Sequence, residues 1–124
     1  MHVESTAPRA FVASVLRTGA LADDLGGWTI DDVIRTATEE GVLPLLQWRL
    51  RDAAVPPALH ARLAQEARNA AAHSLFREVQ LRKVAGVLAR HGINTLLLKG
   101  NALGQWLYPK PYLRVSGDID LLLE

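Results

Sequence analysis

Cysteine is absent from the 124 residues. A disulfide framework, a thiolate-ligated zinc and a thiol nucleophile are all excluded. Net charge is close to absent too, since 14 basic residues face 13 acidic ones. A surplus of one charge gives no general pull toward nucleic acid or acidic membranes. No apolar run approaches the ~20 residues needed to span a bilayer. There is no compact apolar stretch before a small-residue cleavage site, so no signal peptide is read and the expected location is cytoplasmic. Internal repeats and low-complexity tracts are missing as well. What remains is the composition of an ordinary globular chain, 49% hydrophobic and 22% charged, with length for one core.

Along the chain, helix signals come first. Residues 1–7 read as a frayed tail. Pro8 is placed to open a helix over 9–21, with Phe11, Val12, Val15 and Leu16 as its apolar stripe. A turn over 23–27 follows. Thr29 or Asp31 can cap a second helix, and Gly41 can stop it. A third helix is expected over 42–54, with Pro44 in its first turn. After Val55-Pro56-Pro57 comes the clearest pattern. Leu59, Leu63, Ala67, Ala71, Leu75 and Val79 recur every fourth residue, and the stripe then steps to Leu81, Val84 and Leu88. This predicts an amphipathic helix of about nine turns at ~3.6 residues each, bending near Gly86.

His91-Gly92 stops that helix and the pattern changes. Residues 93–98 are a short apolar run, read as a buried strand. Lys99-Gly100-Asn101 is a turn, 102–107 a short helix stopped by Tyr108-Pro109, and 110–117 a loop. Residues 118–123 form a second buried strand. Two strands alone make no stable sheet. The sheet is therefore expected to be incomplete, with the chain a fragment or with its remaining strands supplied from elsewhere.

The chemistry-bearing residues gather in this last part. Asp118 and Asp120 stand two apart on a strand, hence on one face and about 6.5–7 Å apart at Cα. Two carboxylates so placed can converge on one or two hard cations such as Mg²⁺. A metal pair ~3.5–4 Å apart can clamp the attacking and leaving oxygens of a phosphoryl or nucleotidyl transfer. Ile119 would point into the core. Gly117 lets backbone or phosphate approach closely. Arg114 can hold a phosphate bidentately. Lys99 and Gly100 open a helix whose N–H groups form an anion site. Each piece alone has a plainer reading: a solvated strand face, a snorkelling lysine, a surface ion pair, ordinary turn chemistry. Their order along the chain is what carries weight.

That order resembles a known family. Leu96-Leu97-Leu98-Lys99-Gly100-Asn101-Ala102-Leu103, then Leu107-Tyr108-Pro109, Arg114 and Asp118-Ile119-Asp120-Leu121-Leu122, looks like the uncharacterised bacterial nucleotidyltransferase family of the DNA polymerase β-like superfamily. The match covers residues ~93–124. The resemblance implies an α+β fold: a helical bundle over 1–92, then over 93–124 the first strand–helix–strand of a mixed nucleotidyltransferase sheet. It implies a Mg²⁺-dependent transfer of a nucleoside monophosphate from an NTP to an acceptor. Asp118 and Asp120 match the acidic pair that binds metal. Lys99, Gly100 and Asn101 stand at the phosphate turn, where the superfamily's Gly-Ser is replaced by Gly-Asn. The third carboxylate that the superfamily carries on a later strand is missing here, and Glu124 lies too close in sequence to supply it. Asp31, Asp32, Glu39 and Glu40 lie on predicted helices in the wrong order.

Other residue types suggest no site. His2, His60, His73 and His91 lack metal-ligand spacing and read as surface residues. Trp28, Trp48 and Trp106 read as core or interface anchors. Tyr108 and Tyr112 read as packing residues. The arginines of the long helix are interleaved with Glu66 and Glu78, which reads as a solvated face. The alternative to an enzyme is a helical interaction module with a degenerate nucleotidyltransferase remnant. In it the long helix would pack on a partner or on a second copy.

Overall fold

The computed structural model describes all residues except 1–2, 99–102, 105 and 116–118, and the side chains of 3–7. It is an α+β chain. Among the described residues, the helices α1 (Val3–Thr18), α2 (Ile30–Glu39), α3 (Leu43–Arg49) and α4 (Pro57–Arg90) precede the strands β1 (Thr95–Leu98) and β2 (Asp120–Leu123). The chain divides into two compact units, Met1–Arg68 and Asn69–Glu124.

The first unit is a helical cluster. Val12 and Val15 of α1, Val33, Ile34 and Ala37 of α2, Leu43 and Leu46 of α3, and Leu59 and Leu63 of α4 are buried together with Leu25 and Leu50. The α1 stripe read from the sequence is thus its inward face, with Phe11 and Leu16 packed at its edge. Local chemistry fixes where these helices begin and end. Thr29 caps α2 in a reciprocal capping box: its Oγ1 accepts from the Asp32 N–H at 3.1 Å, and the Asp32 carboxylate accepts from the Thr29 N–H at 3.0 Å. Gly41 takes φ +69° just past the end. Arg49 closes α1 from a distance, donating to the carbonyls of Leu16 at 3.0 Å and Arg17 at 3.1 Å.

Helix boundaries differ from the sequence pattern at α1 and α3. Pro8 lies inside α1 rather than at its start; proline's fixed φ is helical, so the helix runs through it at the cost of one N–H donor and of crowding against the preceding turn. α3 ends at Arg49, not 54: Leu50 has φ −93° and ψ 4° and is buried in the core, so packing sets the stop. α4 runs as one 34-residue helix through Gly86, the roughly nine turns expected from the stripe.

In the second unit α4 continues, and the strands pair antiparallel with Thr95 opposite Leu123, Leu96 opposite Leu122, Leu97 opposite Leu121 and Leu98 opposite Asp120. The ladder is prolonged by the Glu124 N–H donating to the Asn94 carbonyl at 3.1 Å. Both strands were expected to be buried, and they are not. Thr95, Leu96, Leu122 and Leu123 are exposed, while Leu97, Leu98, Asp120 and Leu121 are half-buried. Among the described residues the sheet has two strands, too few to cover both of its faces. The α4 stripe fares likewise. Leu59, Leu63 and Ala67 are buried, but Leu75 and Val79 are exposed.

Candidate functional site

β2 alternates as a strand must. Ile119 and Leu121 line one groove with Gln80, Leu81, Lys83 and Val84 of α4. Ile119 therefore points toward the helix, in keeping with an inward position. Asp120 lies on the opposite face of the ribbon, which it shares with Leu122. Its cross-strand neighbour is Leu98, the last residue of β1. The pairing thus brings the start of β2 to the end of β1, two points 22 residues apart in the chain.

Five of the seven residues singled out from the sequence, Lys99, Gly100, Asn101, Gly117 and Asp118, lie outside the described residues. Arg114 is described. It follows a 3₁₀ turn at Pro111–Leu113, takes an extended conformation with φ −94°, and is half-buried. Its guanidinium makes a long contact of 3.4 Å to the Val115 carbonyl. Two residues that sequence reasoning passed over hold this turn. Leu113 is fully buried. Gly104 is buried in the helical stretch that includes Leu103, Trp106 and Leu107, and a Cβ there would stand 3.1 Å from the Pro111 carbonyl oxygen and 3.4 Å from the Arg114 Cβ. A glycine inside a short helix was the available signal, since it marks a close approach.

The donor set at β2 consists of carboxylate oxygen alone, with no histidine on the strand, and oxygen suits a hard cation. Among the described residues no group of three His, Asp or Glu side chains could hold a metal ion. Asp120 is the described carboxylate of the acidic pair read from the sequence. Three of the four upstream acids serve the helices instead. Asp31 pairs with Arg62 at 2.8 Å, Glu40 pairs with Arg9, and Asp32 caps α2. The Thr29 backbone N–H is the main cause that holds the Asp32 carboxyl below its ordinary 3.8, with the Thr29 side chain and Arg35 adding to it.

The aromatic and histidine residues divide. Trp28 packs on the core and Trp48 carries the Arg51 guanidinium 4.3 Å above its ring. Trp106 is 86% exposed and anchors no core, because the short helix that bears it turns Gly104 inward. His60, His73 and His91 are all on the surface. No helix among the described residues is long and apolar enough to cross a membrane.

The profile of a family described as uncharacterised nucleotidyltransferase matches residues 28–124. No curated protein and no solved structure matches the chain. The family match reaches well upstream of the acidic strand. It takes in α2, α3 and α4 as well as both strands, so the helical region carries family-specific sequence that its amphipathic pattern alone did not reveal. Acidic strand, preceding helices and the order that joins them agree: the chain belongs to the uncharacterised nucleotidyltransferase family.

Proposed function

We propose that the protein takes part in a metal-dependent transfer of a nucleoside monophosphate from an NTP to an acceptor hydroxyl. The acceptor oxygen bonds to the α-phosphorus, the bond to the bridging oxygen breaks, pyrophosphate leaves, and the hydroxyl proton passes to solvent or a base. The observation that carries the reading is the pairing of Asp120 with Leu98, the residue just before Lys99 in the sequence, in a chain of this family.

In this reading Asp118 and Asp120 are the metal ligands, and residues 93–124 bear the chemistry while 1–92 support it. When bound, Mg²⁺ supplies positive charge against the developing charge on phosphate oxygens. The chain's own residues bind and orient. Lys99 and Arg114 neutralise and hold the triphosphate. Gly100 and Gly117 leave room for it beside the backbone. Asn101 offers an amide to a phosphate oxygen in place of the superfamily's serine.

The test is calorimetric titration of the chain with each of the four NTPs, with and without Mg²⁺. Nucleotide binding is expected only with the metal, and is expected to vanish in Asp118→Asn/Asp120→Asn. Binding that the double substitution leaves unchanged would remove the metal role from this strand.

A further inference from the structure

The C-terminal half of α4 presents a surface that nucleotide chemistry does not use. Leu75, Phe76, Val79, Val84 and Val87 are all exposed there. At 100° per residue, Phe76, Val79, Lys83 and Val87 fall within about 80° of the helix circumference, with Leu75 and Val84 at its flanks. Their spacing of three, four and four is that of a seam onto which a second helix packs. Two concavities adjoin it. One of about 470 Å³ lies between α4 and β2, and one of about 260 Å³ is lined by Lys83, Val84, Val87 and Leu88. They share Lys83 and Val84, so they form a continuous trough along the helix.

The charges on this face have one sign. Lys83 and Arg90 fall within the row at 100° per residue, Arg82 lies beside Leu75 at its edge, and the half-helix from Asn69 to Arg90 holds four basic residues against one acid. That acid, Glu78, lies on the far side and accepts from Arg82 at 2.7 Å. Exposed apolar side chains along one face mark an interaction surface, and the two cations set among them, Lys83 and Arg90, select the sign of what binds.

We propose that this face of α4 docks an acidic amphipathic helix of a partner protein, whose apolar side chains enter the trough beside Lys83 and Val84 while its carboxylates meet Lys83 and Arg90. The trough favours a helix with protruding side chains over a flat lipid surface. The excess of positive charge opposes a second copy of α4. This inference is independent of the nucleotidyl-transfer reading.

The test uses the full chain and a fluorescein-labelled designed helical peptide of about three heptads, with leucine on one face and glutamate at the flanking positions. A matched peptide carries lysine at those positions. Fluorescence anisotropy is expected to show the acidic peptide binding at least about tenfold more tightly. Lys83→Glu/Arg90→Glu should reverse that preference, an outcome that misfolding cannot mimic. Phe76→Ser/Val87→Ser should weaken the acidic peptide about tenfold or more. The proposal is overturned by equal affinity for both peptides, by no binding, or by charge reversal without effect. It is also overturned if phosphatidylcholine–phosphatidylserine vesicles bind this face and the acidic peptide does not. A dimer by light scattering that excludes the peptide would overturn it in favour of self-association.

Discussion

Leu63 and Leu75 belong to one stripe of one helix, yet substitution should cost much at the first and little at the second. Leu63 is 2% exposed and sits in the core of the first unit, whereas Leu75 is 63% exposed. Leu63→Ala removes a buried side chain that its neighbours cannot fully replace, and such changes cost about 2–5 kcal/mol. A unit of about 68 residues at roughly 0.1 kcal/mol each has about 7 kcal/mol to lose. The substitution should therefore take about a third to two thirds of the stability. With a urea slope of about 1 kcal/mol per molar, the midpoint should fall by about 2–5 M. Leu75→Ser removes a side chain already in water and should stay within about 0.5 kcal/mol. Urea unfolding followed by far-UV circular dichroism reads both variants, and tryptophan fluorescence adds the first core, on which Trp28 packs. Equal losses for the two variants would refute the reasoning, because Leu75 would then be packed as tightly as Leu63.

Three further outcomes follow from local geometry. Thr29→Ala should cost about 1 kcal/mol by removing one arm of the α2 capping box, measured as a shift of the urea midpoint. The other arm is pH-dependent: the Asp32 carboxyl is held below 3.8 in the folded chain, so its contribution is present above that value and is lost as pH falls through the folded pKa. The stability gap between the protein and Asp32→Ala should therefore be constant near neutrality and close in strong acid; a gap that widens with acid contradicts the sign. Gly26→Ala should destabilise by about 1–2 kcal/mol, because φ is +63° and the new Cβ would meet the Phe11 ring at 3.0 Å, and thermal melting checks it.

The sequence by itself determined the periodic and chemical features. The i, i+4 stripe of α4, the capping signal at Thr29, the glycine stop at Gly41 and the apolar strand that begins at Asp120 all follow from spacing, which acts between near neighbours. The order of Lys-Gly, Arg and Asp-Ile-Asp pointed to the family, and the profile match over 28–124 agrees. Tertiary structure decided what depends on distant partners. The α4 stripe is continuous as sequence, but only Leu59, Leu63 and Ala67 are buried, while Leu75 and Val79 stay open to solvent. Burial is a property of two surfaces, and periodicity describes only one. The partner of Asp120 across the ribbon, the close approach at Gly104 and the capping of α1 by Arg49 likewise rest on residues far apart in the chain. The cationic face left open on α4 became visible only once the fold showed which apolar residues remain uncovered.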